Sequence, residues 1–466
     1  MPIRLLHTKD LTFKDCRGTR IPRYAILSHR WRDSEISYQD FMERQSNRGH
    51  GQVGFHQGHD KVKNFCQMAS DRGFYYVWID TCCIDKKSSA ELTEALNSMW
   101  EWYRQADECY AFLWDLPNLQ RTRGQPSTPE IDKALRVSDW FTRAWTLQEL
   151  LAPTKLYIVT REWQILGSRD GGLTPILSEI TGIAPQYLTG HTNVHSASIA
   201  TRMSWAARRT ATEIEDTAYC LLGIFDVNMP LLYGEREKAF MRLQREIILK
   251  SDDESIFAWR DSGRTSGMLA RWPTCFADSG HVVVLSVSPT LRLHYHISNK
   301  GLELQVPRNE VEPREIKQRE INPARDDFVY EPAPMFVNKA GSKTVHLACE
   351  AVTNERGSSR RIIGIQLRSQ GHAWHRVNCD KWEEVRQTPM RSETLKAKYY
   401  VIQPDAVCGI VAYNIYQPCH PLCICPVFVD EDLPITSQSN AWYGIPRRAY
   451  GLGVDSFRRA KEGMQI

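Results

Sequence analysis

Three apolar segments of this chain end in polar side chains of a kind that can grip a ligand. "YAILS" (Tyr24–Ser28) runs into Ser28, His29, Arg30 and Trp31. "FYYVWID" runs into Asp80, Thr81, Cys82 and Cys83, and "CYAFLWD" runs into Trp114 and Asp115. Arginine, serine, aspartate and tryptophan together can hold a phosphate, a ribose hydroxyl and a flat ring. A fourth stretch, "SDWFTRAWTLQELLAP" (Ser138–Pro153), carries one carboxylate, Glu149, among aromatic and aliphatic side chains. Its periodicity predicts a single helix, N-capped by Ser138 or Asp139 and stopped by Pro153. Trp140, Phe141, Ala144, Leu147, Leu151 and Ala152 then share one face. Glu149 lies one turn after Trp145, about 40° around, at the shoulder of that face. Such a glutamate is either a solvated acid bordering the core or a carboxylate held beside a dry site.

The elements that must position these residues alternate between strand and helix. "DKVKNFCQMASDRG" places Val62, Phe65, Cys66 and Ala69 at helical spacing and ends at Gly73. "ELTEALNSMWEWYRQAD" aligns Leu92, Ala95, Leu96, Met99 and Tyr103 on one stripe, and "KLYIVT" reads as a further strand. Alternation at this spacing predicts an α/β fold with a parallel sheet flanked by helices. In such a sheet ligands bind outside the carboxyl ends of the strands, where the polar clusters lie. Residues 174–250 read as a helical extension. After "SDDESIFAW" the pattern turns to short alternating segments between Gly, Pro and Asn turns. The expected organisation is therefore an α/β domain with its helical extension over 1–255 and a β-rich domain, a sandwich or partial barrel, over 256–466.

Composition removes several classes. The 466 residues are 42% hydrophobic and 24% charged, as in an ordinary globular protein, with a net charge of +4 and no dense basic block. Nucleic acid is not an expected partner. No apolar run is long enough to span a bilayer and no signal pattern opens the chain. Thirteen scattered cysteines suit reduced, buried thiols in a cytosolic or nuclear protein, and a cytoplasmic location is expected. Neither a phosphate-binding G-x-x-x-x-G-K-[ST] loop nor a G-x-G-x-x-G turn after a strand is present.

The individual residues admit competing roles. Asp80 suits a ligand or the cap of the following turn. Arg30 suits a phosphate or an ion pair with Asp33 or Asp80. Ser28 suits a ribose hydroxyl or the closing of its strand. His29 near Cys82 or Cys83 suits a thiol hydrolase less well than buried structural cysteines. Arg208 and Arg209 suit pairing with Glu213, Glu215 or Asp216 better than a pyrophosphate. "CHPLCIC" (Cys419–Cys425) has metal-like ligand types at a spacing that fits no standard zinc pattern, so no metal is expected.

Four motifs in order, "YAILSHRW", "YYVWIDTCCID", "RAWTLQELLAP" and "SWAARRTATEIEDTAYCLLGIFDVNMPLLYGE", resemble the fungal heterokaryon-incompatibility (HET) domain over roughly residues 1–255. Such domains trigger cell death when incompatible fungal cells fuse. Many members add NTPase and repeat domains, of which this sequence shows neither. HET domains in turn resemble Toll/interleukin-receptor (TIR) domains. "RAWTLQEL" is similar to the TIR W-x-x-x-E-L helix, and "YAILSHRW" and "VWID" to its first two strands. The resemblance implies NAD+ as substrate, cleaved at the nicotinamide–ribose bond, with Glu149 catalytic. It implies Ser28, His29, Arg30, Trp31, Asp80 and Trp145 as substrate contacts, and activity in a homo-oligomer. No resident cofactor is implied. One carboxylate is enough for that reaction: nicotinamide leaves a cationic pyridinium as a neutral molecule, so no general acid is needed, unlike in ordinary glycosidases. The alternative is a non-catalytic death-signalling module that self-assembles and recruits partners.

Overall fold

The computed structural model describes residues 2–401 except 19, 47–56, 120–126, 264, 286–292, 299–300, 309–335, 338–341, 354–358, 371–372 and 386–394. The Cys419–Cys425 motif lies outside them.

The strands that carry the polar clusters form the middle of a seven-stranded sheet. They are β1 (Ile3–His7), β2 (Phe13–Cys16), β3 (Tyr24–His29), β4 (Tyr76–Trp78), β5 (Glu108–Phe112), β6 (Leu156–Val159) and β7 (Ile165–Ser168), in the order β2-β1-β4-β3-β5-β6-β7. β4, β3, β5 and β6 are parallel. All six residues of β3 are buried, because a central parallel strand is covered on both faces. The fully parallel sheet expected from the sequence is corrected in one respect: β1, β2 and β7 are antiparallel edges, making the sheet mixed. The chain steps from β3 to one side for β4, then crosses to the other side for β5. That reversal opens a crevice at the carboxyl ends of β3 and β5.

The connections supply the covering helices. Gln57–Asp71 joins β3 to β4, and Ser89–Gln105 joins β4 to β5. The latter is capped by Ser88, whose hydroxyl accepts from the Glu91 amide at 3.3 Å, and it buries Ala95, Leu96, Met99, Trp102 and Tyr103. Against it packs the short helix Leu222–Phe225, through Gly223: a Cβ there would lie 2.1 Å from the Trp100 Cβ and 2.5 Å from its Cγ. Gly223→Ala is expected to destabilise the fold by about 1–3 kcal/mol, read as a lowered urea midpoint. Adding Trp100→Ala should restore little of the loss, since alanine keeps the Cβ that lies nearest.

The second structured part is β-rich. Among the described residues it forms a ten-stranded sheet around the long hairpin Ser342–Thr353 and Ser359–Gln370, with a register shift between His346 and Glu350. Buried polar groups tie it to the helical segment before it. The Glu254 carboxylate accepts from the amides of Leu293 (2.8 Å) and Ala348 (2.7 Å). The Arg376 guanidinium donates to the carbonyls of Phe257 (2.8 Å) and Trp259 (2.6 Å). Nine described cysteines are free and buried. No described helix is long and apolar enough to cross a membrane.

Candidate functional site

The stretch around Glu149 is not the single helix its periodicity predicts. A 3-10 turn (Asp139–Thr142) is followed by a break and then a separate helix, Thr146–Leu151. The break has a tertiary cause. Arg143 is extended, and this segment bridges Thr210: the Ala144 amide donates to the Thr210 carbonyl (2.9 Å), and the Thr210 amide to that of Thr142 (2.7 Å). Arg209 locks the turn by donating to the Arg143 carbonyl and the Thr146 Oγ1, both at 2.9 Å. All six residues of the Thr146–Leu151 helix are buried, so Glu149 sits inside rather than at a rim, only 6% exposed.

Its carboxylate is held from the sheet. Ser28, fully buried at the end of β3, donates its hydroxyl to Glu149 Oε2. Trp140 Nε1 in turn donates to Ser28 Oγ at 2.9 Å. Tyr103, whose hydroxyl donates to the Leu27 carbonyl at 3.0 Å, also pulls the Glu149 carboxyl towards its charged form. Ser28 therefore lies behind Glu149 and fixes its orientation.

In front of Glu149 lies a cavity of about 330 Å³. Into it come His29, Arg30 and Trp31 from the loop after β3, Asp80 from the start of the short helix Asp80–Cys83, and Trp145. Six of the seven residues singled out in the sequence thus meet in one pocket, with the seventh directly behind. Leu92, Leu96 and Met99 of the Ser89–Gln105 helix make an apolar wall. Seven charged or polar neighbours were not singled out as ligand contacts: Lys86, Arg143, Thr146, Thr212, Glu213, Asp216 and Tyr233. Thr212, Glu213, Asp216 and Tyr233 lie within the fourth quoted motif. A separate hollow of about 610 Å³, lined by Pro22, Arg23 and Asp107, lies at the amino end of β3, away from the strand ends where ligands bind.

Burial pushes Glu149 up from its ordinary value of 4.5 to about 8. The charge of Asp80 adds to this, against the opposing pull of Ser28, Arg209 and Tyr103. Asp80 accepts from Trp31 Nε1 at 2.6 Å through Oδ2; its buried Oδ1 has no hydrogen-bond partner and lies 3.8 Å from His29 Nε2. Neither ring nitrogen of His29 has a hydrogen-bond partner, although Nε2 is within ion-pair reach of both Asp80 and Glu35. Glu35 lies 3.6 Å from His29 Nε2; burial works against its charge, yet His29 and Lys61 hold it down at about 2. Lys86 lies 3.1 Å over the Trp31 ring. Burial pulls its ammonium down, and Asp80 partly offsets this. Orphaned polar atoms beside an apolar wall suit a small ligand with both polar and flat parts.

The remaining readings resolve on geometry. Arg30 pairs with Asp139 (2.5 Å) rather than with Asp33 or Asp80. Arg209 serves the backbone of the turn, Arg208 is exposed, and Glu215 accepts from the amides of Gly234 and Arg236. Cys82 is fully buried, and its neighbour Cys83 together with burial pushes its thiol well above the ordinary range, which suits a structural thiol.

Residues 24–122 match the family described as heterokaryon incompatibility protein (HET), a match that covers β3 to β5 and stops before Glu149. The vegetative incompatibility protein HET-E-1 of Podospora anserina is 42% identical over 238 residues, which make up 50% of this chain and 17% of that protein. No solved structure gives a significant match. The chain carries a heterokaryon-incompatibility (HET) domain.

Proposed function

We propose that this chain is a cell-death effector of heterokaryon incompatibility that hydrolyses NAD+ at the nicotinamide–ribose bond. The observation that carries this reading is the Glu149 carboxylate: buried, oriented by Ser28, and facing a cavity at the carboxyl ends of parallel strands. The parallel strands follow the order β4-β3-β5-β6, the flavodoxin-like 2-1-3-4 arrangement that TIR domains resemble. The N-glycosidic bond breaks with both electrons going to the pyridinium nitrogen, so nicotinamide leaves neutral. Water adds to the ribose C1′ and loses a proton. Between these events the ribose carries positive charge, and an ionised Glu149 stabilises it in a site with little water to screen the attraction. The Leu92, Leu96 and Met99 wall excludes water, and the Trp145 ring offers a flat surface to nicotinamide.

The test is nicotinamide release from NAD+ by the purified chain, followed by chromatography. Cell death on expression with no nicotinamide release would instead support the signalling-module alternative. If copies complete one another's sites, specific activity should rise with protein concentration, in step with the mass measured by sedimentation; a monomer with constant specific activity refutes that part of the reading.

A further inference from the structure

A second cavity, about 650 Å³, opens beside the first at the carboxyl end of β5. Its wall is aromatic: Phe112, Trp114 and Trp163, with Trp163 stacked on Phe112 at 4.3 Å between centroids and 21° between planes. Trp163 is held at φ 61°, a left-handed backbone rare for so bulky a side chain, and its ring also stacks on Phe65. Trp114 is 45% exposed, an open flat face at the cavity mouth. Asp33 and Asp60 line the same cavity, beside Lys61 and Arg161, and can accept from ribose hydroxyls.

One ion-pair ridge joins the two cavities. Arg30 lines the first and Arg32 the second, and both reach the same oxygen, Asp139 Oδ2, at 2.5 and 2.9 Å. Asp139 is itself anchored, its amide donating to Asp115 Oδ2 at 2.7 Å. Two guanidiniums share one carboxylate oxygen, so each keeps further N–H donors for an anion. Arg32 also keeps a buried Nε with no hydrogen-bond partner. A diphosphate matches these donors with paired acceptor oxygens.

We propose that the second cavity seats the adenosine half of a dinucleotide whose diphosphate lies along Arg30 and Arg32, with the nicotinamide riboside half facing Glu149. This deepens the NAD+ reading above and rests on it for the nicotinamide end only. The adenine stacks on Trp114 and Trp163, and its ribose faces Asp33 and Asp60. The sequence of events at the first cavity is unchanged; the second supplies affinity and selects dinucleotides over shorter nicotinamide compounds.

The test is isothermal titration of the full chain with ADP-ribose, AMP and ribose 5-phosphate, comparing wild type with Trp114→Ala and Trp114→Phe. Trp114→Ala is expected to weaken ADP-ribose and AMP about tenfold, the usual scale of base stacking, and ribose 5-phosphate by less than about twofold. Trp114→Phe should recover most of the loss. Failure of the wild type to bind ADP-ribose overturns the proposal, as does unchanged ADP-ribose affinity in a Trp114→Ala chain with wild-type circular dichroism. A Trp114-dependent affinity for ADP-ribose in a chain that releases no nicotinamide supports the dinucleotide seat and overturns the hydrolase reading, so the two fail separately.

Discussion

Glu149→Gln is expected to lower nicotinamide release from NAD+ by about 10²–10³ while leaving the fold intact. Glutamine keeps the size and shape of the side chain, and the Ser28 hydroxyl that now donates to Glu149 Oε2 can donate to the amide oxygen instead. What is lost is the charge that faces the developing cation. Stability should move the other way. Glu149 titrates at about 8 in the folded chain against an ordinary 4.5. The folded state therefore binds the extra proton between those values, and the wild type loses stability as pH rises through that window, about 1.4 kcal/mol per unit, levelling off above it. The glutamine variant has no such proton to lose. Its melting temperature should match the wild type near pH 4.5 and exceed it at pH 8. Wild-type turnover by a well-folded Gln variant would return Glu149 to a structural role. Trp145→Ala is a less clean comparison, because it removes packing at the start of the same buried helix.

The middle of the α/β sheet was legible because central parallel strands are buried on both faces and so appear as unbroken apolar runs: "YAILSH", "CYAF" and "LYIV" each became a strand. Their carboxyl ends could then be placed, which brought His29, Arg30, Trp31 and Asp80 to one crevice. The edges were not legible. β2 reads "FKDC", four residues with two exposed charges, and only pairing with β1 makes it a strand. Nor was the break in the Glu149 helix. Local periodicity favours one continuous helix there, and what interrupts it is the bridge from Arg143 to Thr210, far along the chain. The same bridge carries Arg143 and its hydrogen bond to Thr212 into the pocket. Local sequence thus gave the sheet's half of the site, and the half contributed by segments from beyond residue 200 needed the tertiary structure. Ser28 shows the limit from the other side: its position at a strand end was right, and its role changed once its hydroxyl was seen to be spent on Glu149.

The dependence of NAD+ cleavage on pH should be steep and one-sided. The free site must lose the Glu149 proton before it can stabilise a cation, so kcat/KM should rise about tenfold per pH unit below about 8 and flatten above it. Between pH 6 and 8 that is roughly a fiftyfold gain, because half the carboxyl is still protonated at its pKa. Once NAD+ is bound, its pyridinium favours the ionised carboxylate, so kcat should reach its plateau at a lower pH than kcat/KM. Binding near neutral pH should then release a proton, seen by calorimetry as a heat that varies with the buffer's ionisation enthalpy. NADH, whose dihydronicotinamide ring is uncharged, should release far less. The charge of Asp80 raises the Glu149 pKa, so Asp80→Asn should shift the rising limb of kcat/KM to lower pH. Asp80 also accepts from the Trp31 indole at 2.6 Å, and an asparagine carbonyl can still accept that bond, so the shift isolates the charge. A kcat/KM profile flat from pH 6 to pH 8.5, or an Asp80→Asn limb that moves to higher pH, would be incompatible with an ionised Glu149 as the group that stabilises the transition state.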